Sequence, residues 1–240
     1  MRLSSKIFLN VIVLTCFSCT SSVEEATNEL LLEKNENFLQ AGSEVNDPVK
    51  NPSVFQIKGL GCNSLQYGTG FFIDENIVVT NAHVVAGVNS PEIIYKGDNY
   101  ELDFISLDPN SDLAILRSEN IQHRPLKLEE AEEGEFGTVV AFIKDGTKVT
   151  TEVEIREKIL AVGKDIFGEP GESREALTLE AKIESGFSGA PVLNKNSAVV
   201  GVVFSRSRGG SSTAYAVQSS EVQKILKNEP DLSSSGNCIP

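Results

Sequence analysis

The chain has 240 residues, enough for one domain or for one fold built from two packed halves. Hydrophobic residues make up 40% of it, and 34 acidic against 21 basic side chains give a formal net charge of −13. That charge argues against a nucleic-acid-binding protein, which needs a basic surface, and with only His83, His123 and no Cys/His cluster we expect no metal site.

The first 18 residues predict a secretory signal. Two basic residues within the first six precede an apolar run over 7–17, which is shorter than the roughly 20 residues of a membrane-spanning helix. The segment Cys16-Phe17-Ser18-Cys19-Thr20 resembles a bacterial lipobox, in which a signal peptidase cuts before a cysteine that then carries lipid. We expect a lipid on Cys19 that binds the protein to a membrane of the bacterial cell envelope. Cleavage without lipid, giving a secreted or periplasmic protein, is the alternative.

Residues 19–52 are expected to form a flexible tether. Ser, Glu and Asn dominate this stretch, and one short apolar group, Leu30 to Leu32, interrupts it. A segment of this composition buries too little apolar surface to fold alone. A single helix over 24–39 is the alternative.

Cys62 and Cys238 are the two cysteines of the chain after residue 52. An isolated pair usually forms a disulfide in an oxidising compartment, so we expect one here. The closed loop would span nearly the whole domain, and the chain-entropy model assigns such a loop roughly 5 kcal/mol of stabilisation. Two free thiols are the alternative.

After residue 52 the sequence consists of short β-branched or alternating segments separated by turns, which predicts an all-β domain. Six segments lie in about 53–128 and six in about 136–218, joined by an acidic connector for which we expect a solvated surface. Ser220-Glu221-Val222-Gln223 matches a capping box and predicts a closing helix over about 220–228. The predicted strands are 54–58, 68–73, 77–81, 92–95, 101–107, 113–117, 138–143, 148–155, 176–183, 190–193, 199–204 and 213–217.

Three residues are suited to acyl transfer. His83 follows a predicted strand, Asp112 precedes one, and Ser188 lies among small residues. Acyl transfer needs a hydroxyl nucleophile, a base with a pKa near neutrality and a buried acid that fixes the tautomer of the base. Each residue alone is more often structural, but the three together, in this order and beside strands, indicate a nucleophilic catalyst.

Five motifs surround these residues: Gly68-Thr69-Gly70-Phe71-Phe72-Ile73, Thr80-Asn81-Ala82-His83-Val84-Val85, Asp112-Leu113-Ala114-Ile115-Leu116, Gly186-Phe187-Ser188-Gly189-Ala190-Pro191 and Val200-Gly201-Val202-Val203-Phe204. Together they resemble the trypsin-like (chymotrypsin-fold) serine peptidases, in particular the bacterial Deg/HtrA type and the related extracytoplasmic acid-resistance protease. The resemblance covers about 53–227. It implies two antiparallel six-stranded β-barrels with a C-terminal helix, in a solitary protease domain over 53–240.

The resemblance also implies roles. Ser188 would be the nucleophile of a serine endopeptidase, His83 the general base and then acid, and Asp112 the group that orients His83. The backbone N–H groups of Gly186 and Ser188 would form the oxyanion hole. Protein or peptide substrates are expected, and no cofactor.

The motifs depart from the family pattern at two positions. Ala190 stands where the family usually has glycine, and Phe187 where it has a small polar residue. Phe187 would either shape the cleft or hinder it, so an inactive protease-fold lipoprotein that binds peptides or adheres is the alternative function. Lys182 would favour an acidic substrate residue if it faced the specificity pocket; a solvent-facing lysine is the other interpretation.

Overall fold

The structure is a computed structural model that describes residues 53–207, 212–227 and 236–239. The predicted signal over 1–18, the predicted lipid site at Cys19 and the predicted tether over 19–52 lie outside the described residues. Within the described ranges, no helix has the length and apolar character needed to cross a bilayer.

The first half of the domain is an antiparallel sheet of seven strands in the order β5-β4-β1-β2-β3-β7-β6. Its central strands consist mostly of buried residues, as expected where both faces of a sheet are covered. The strands are β1 Val54–Gly61, β2 Ser64–Phe72, β3 Ile77–Thr80, β4 Glu92–Tyr95, β5 Asp98–Glu101, β6 Asp103–Asp108 and β7 Leu113–Arg117.

The sheet has one strand more than predicted, β5, because the turn before it is shorter than predicted. The predicted strands 92–95 and 101–107 leave residues 96–100 as a connection, whereas the structure pairs Tyr95 with Asp98 across a two-residue turn. The two turn residues, Lys96 and Gly97, have φ values of 54° and 88°, as a tight primed hairpin turn requires. Asp98 is therefore free to begin β5.

The second half is a closed barrel of six strands in the order β10-β13-β12-β11-β8-β9. A short helix, α1 Ala82–Val85, follows β3, and a longer one, α2 Ser219–Lys227, follows the barrel. The predicted all-β class with a C-terminal helix is therefore confirmed. The barrel strands are β8 Phe136–Phe142, β9 Lys148–Ala161, β10 Arg174–Glu180, β11 Pro191–Leu193, β12 Val199–Arg206 and β13 Thr213–Gln218.

A shared apolar core joins the two halves. Each half has its own cluster of buried side chains, and a third cluster contains residues of the sheet, the barrel and α2. In that cluster Phe71 and Ile115 of the sheet are packed together with Val202 and Val217 of the barrel and Val222 of α2. Because these side chains are fully or almost fully buried, the cluster fixes the two halves relative to each other.

A disulfide joins Cys62 to Cys238, with Cα atoms 5.7 Å apart and a separation of 176 positions in sequence. Cys62 lies in the tight turn between β1 and β2, and a Cβ added to Gly87 would lie 2.3 Å from its sulfur. The bridge therefore packs on the segment that follows α1. It attaches the C-terminal residues to the sheet.

Candidate active site

The position of His83 is set by the start of α1. The backbone carbonyl of Asp112 accepts hydrogen bonds from the Asn81 side-chain amide at 2.8 Å and from the Ala82 N–H at 3.1 Å. Asn81 is the N-cap of α1, so these bonds attach the first turn of the helix to the residue that precedes β7. His83 and Asp112 are therefore neighbours in space although they lie 29 positions apart in sequence.

Asp112 holds His83 with both carboxylate oxygens. Oδ2 lies 2.7 Å from His83 Nδ1, and Oδ1 accepts the backbone N–H of His83 at 3.0 Å. Asp112 is 5% exposed and has a φ of 58°, a left-handed conformation that aspartate tolerates better than most residues. A carboxylate in this position keeps the ring proton on Nδ1 and leaves Nε2 free to accept a proton.

The environment of His83 shifts its titration upward. Burial, the largest influence, lowers the pKa of the imidazole. The negative charge of Asp112 and its hydrogen bond to the ring favour the protonated form and together outweigh burial, so the pKa of His83 is raised above its ordinary value.

We expect kcat/KM to fall as pH is lowered through the pKa of His83, with a midpoint above about 6.5, the ordinary value for imidazole. Only the neutral ring can accept a proton, and the raised pKa keeps the ring protonated up to a higher pH. A pH profile of peptide hydrolysis measures this midpoint. A rate that stays constant down to about pH 5 would contradict the role of His83 as a base.

Ser188 lies in the serine loop, which we define as residues 184–190. The loop begins with a turn in which the Phe187 N–H donates to the Glu184 carbonyl at 3.3 Å, with Gly186 at a φ of 102°. The Gly189 N–H donates to Val203 of β12 at 2.9 Å, which attaches the loop to the barrel. Gly186 must be glycine here, because a Cβ would lie 2.3 Å from the Phe142 carbonyl oxygen.

The serine loop packs against the sheet close to His83. The Ser188 carbonyl accepts the Thr69 N–H of β2 at 2.8 Å, and a Cβ on Gly189 would lie 3.2 Å from the Asn81 nitrogen, two residues before His83. A Cβ on Gly68 would lie 2.9 Å from the Ser188 carbonyl oxygen and 2.7 Å from a Val84 methyl group. The structure thus brings together the segments that carry the three predicted residues.

Four backbone N–H groups of the serine loop have no acceptor among the described residues. They belong to Glu184, Ser185, Gly186 and Ser188, whereas the N–H groups of Phe187, Gly189 and Ala190 all donate to backbone carbonyls. The Ser188 hydroxyl is not hydrogen-bonded to His83 in the described residues, as is common in the absence of substrate. Free N–H groups on either side of Phe187 are what an oxyanion site requires.

The described residues contain no group of three or more His, Cys, Asp or Glu side chains that could hold a metal ion.

Two cavities are compared as candidate substrate pockets. One, of about 550 Å³, lies against α2, and none of the three predicted residues lines it. The other is smaller but lies beside Ser188, so it is the one relevant to the candidate site.

That cavity has a volume of about 410 Å³. Its lining includes the buried side chains of Ile183, Phe187 and Val203. Lys182 does not line it and is exposed, which agrees with the solvent-facing interpretation.

The two unusual residues of the loop lie in the barrel core. Phe187 is 1% exposed and Ala190 is fully buried, both in the apolar cluster of the barrel. Phe187 therefore forms part of the cavity wall and points its ring into the core. Gly68 and Thr69 lay within a recognised motif, but the sequence assigned them no role.

Comparison with known proteins gives a consistent picture. The family model for the trypsin-like peptidase domain matches residues 68–202. The serine protease Rv3671c of Mycobacterium tuberculosis strain H37Rv is 37% identical over 187 residues, which cover 74% of this chain and 47% of that protein. A DegP-like periplasmic serine endoprotease of Bartonella henselae is 27% identical over 173 residues, 68% of this chain and 33% of that protein.

Solved structures are similar over most of the described domain. The active form of the M. tuberculosis Rv3671c protease has a TM-score of 0.75 at 33% identity, covering 80% of this chain and 88% of that one. Its inactive form has a TM-score of 0.64 at 34% identity, covering 74% and 89%. The chain spans about half the length, or less, of the curated relatives it matches.

Proposed function

Since this chain belongs to the trypsin-like peptidase family, we propose that it is a serine endopeptidase that uses Ser188, His83 and Asp112. The observation that carries the proposal is the pair of hydrogen bonds from His83 to the two oxygens of Asp112, at 2.7 and 3.0 Å. This pair lies where α1 and the serine loop meet. The higher similarity to the active form of the M. tuberculosis protease also supports it.

The reaction proceeds in two stages. His83 Nε2 takes the proton of the Ser188 hydroxyl, whose oxygen attacks the carbonyl carbon of the substrate and forms a tetrahedral intermediate. Its negative oxygen receives hydrogen bonds from the N–H groups of Gly186 and Ser188. His83 then gives its proton to the departing amine, which leaves an acyl-enzyme. In the second stage water, deprotonated by His83, hydrolyses the ester and regenerates Ser188.

The cell envelope is the proposed location. The signal predicted over residues 1–18 and the lipid site predicted at Cys19 support it, as does the Cys62–Cys238 bridge, because disulfides persist in oxidising compartments. The B. henselae relative bears the name probable periplasmic serine endoprotease DegP-like. Substrates would be proteins or peptides that reach this compartment.

The alternative of an inactive binding protein depended on Phe187 and Ala190. Both side chains are buried in the barrel core. The N–H groups of the adjacent residues Gly186 and Ser188 still have no acceptor among the described residues. The proposal of an active enzyme therefore takes precedence.

Labelling with a fluorophosphonate probe tests the proposal. The probe reacts with an activated serine, so we expect the purified, disulfide-bonded protein to be labelled and Ser188→Ala to lose all labelling. Ser220→Ala removes a hydroxyl that donates to Glu175 of β10, outside the serine loop, and should be labelled like the wild type. A folded wild-type protein without labelling, or labelling that survives in Ser188→Ala, would overturn the proposal.

A further inference from the structure

Thr69 of β2 connects the serine loop to both halves of the domain. Its N–H donates to the Ser188 carbonyl at 2.8 Å, and its own carbonyl accepts the Thr80 hydroxyl at 2.7 Å. Its hydroxyl donates to the Gly186 carbonyl at 2.8 Å and accepts the Phe142 N–H at 2.9 Å. Thr69 is fully buried, so water cannot replace these partners without moving the side chain.

We propose that Thr69 is a positioning residue for the oxyanion site and acts through its hydroxyl, an inference that rests on the function proposed above. The Thr69 hydroxyl donates to the Gly186 carbonyl, and the Thr69 N–H donates to the Ser188 carbonyl. Gly186 and Ser188 stand on either side of Phe187, and their own N–H groups are free to donate to an oxyanion. One residue of the sheet thereby orients both donors of the barrel.

The direction of the hydroxyl hydrogen bond is fixed. A threonine hydroxyl has one proton to donate and lone pairs to accept. The Phe142 N–H can only donate, so it takes a lone pair, and the proton must point to the Gly186 carbonyl. Phe142 ends β8 of the barrel, so the hydroxyl is oriented from the barrel side and in turn orients the loop.

Gly186 is the part of the loop that needs such an anchor. Glycine adopts positive and negative φ with similar ease, so its φ of 102° is not enforced by a side chain. The hydrogen bond from the Phe187 N–H to the Glu184 carbonyl is 3.3 Å long and holds the turn from one end only. The Thr69 hydroxyl holds the carbonyl of Gly186 and so limits rotation about the bonds that set the direction of its N–H.

The test compares Thr69→Val, which keeps the shape and loses the hydroxyl, with Thr69→Ser, which keeps the hydroxyl. Loss of an oxyanion donor costs about 10²- to 10³-fold in kcat, so its misorientation in Thr69→Val should lower kcat roughly 10- to 100-fold. KM and the pH midpoint set by His83 should stay close to the wild type. Thr69→Ser should recover most of kcat.

The matched control is Ser219→Ala. Ser219, the first residue of α2, is also buried. Its hydroxyl donates to the backbone carbonyl of Glu129, outside the serine loop. All variants are assayed well below their melting temperatures with one peptide substrate and with the fluorophosphonate probe. Ser219→Ala should match the wild type in kcat even where its melting temperature falls.

Equal kcat for Thr69→Val and Thr69→Ser would overturn the inference while leaving the proposed function intact. A wild-type protein without Ser188-dependent labelling would overturn the proposed function itself. If Thr69→Val does not fold, Thr69→Cys replaces it, since a thiol is a weak donor. Its kcat should then lie clearly below that of Thr69→Ser, and a value equal to Thr69→Ser would again overturn the inference.

Discussion

Replacement of Asp112 by asparagine is expected to lower kcat by about 10⁴-fold without unfolding the domain. The backbone N–H of His83 donates to Oδ1 of Asp112 and can only donate, so an asparagine would place its oxygen there. The amide NH₂ would then face His83 Nδ1, 2.7 Å away in the present structure. The ring would have to carry its proton on Nε2, where it cannot accept the proton of Ser188.

Steady-state hydrolysis of a peptide substrate measures this effect, with Asp108→Asn as the matched control. Asp108 accepts hydrogen bonds from Asn110 and Ser111 in the preceding turn and does not contact His83. The control should retain kcat within a few-fold of the wild type. A kcat of Asp112→Asn within tenfold of the wild type would contradict the assignment of Asp112.

Replacement of Phe187 by alanine is expected to destabilise the domain by about 3–5 kcal/mol and to reduce catalysis as well. The ring is 1% exposed in the apolar cluster of the barrel, so its removal leaves a cavity. Phe187 also stands between Gly186 and Ser188, and its burial holds the middle of the loop in the core. Without it the loop should lose the arrangement of the free N–H groups of Gly186 and Ser188.

Thermal unfolding and labelling together measure this effect. For a domain of this size the destabilisation corresponds to a melting temperature lower by about 6–20 °C. Phe136→Ala is the control, because that phenylalanine is 70% exposed in β8 and should change neither property. Phe187→Leu should fall between the two. A Phe187→Ala variant that melts and is labelled like the wild type would show that the core contact is unimportant.

Much of the fold could be predicted because local patterns reflect burial directly. The strand that precedes His83 and the strand that follows Asp112 are apolar runs bounded by turn residues, and both are found as β3 and β7. Strand β5 was missed, because the turn at Lys96 and Gly97 is shorter than predicted and a lysine at positive φ carries no local signal. Residues 156–161 were also missed, since the three consecutive charged residues 156–158 hide the continuation of β9.

The candidate site was predictable in its members but not in its construction. The types and order of His83, Asp112 and Ser188 suffice to suggest acyl transfer. The role of Thr69 depends instead on a hydrogen bond to a residue 117 positions away, and sequence spacing cannot show such a contact. The burial of Phe187 was left open for the same reason, because it depends on how the loop packs on strands far away in sequence.

The Cys62–Cys238 bridge makes the domain almost a covalent ring. Any single break in the backbone between these two cysteines leaves both pieces joined through the sulfur atoms, so the pieces cannot diffuse apart. A peptidase is continually exposed to its own activity and to that of its neighbours. In this protein a cut in a surface turn would be a nick in one molecule rather than a division into two, and the packed strands on either side could hold the nicked chain in its native arrangement.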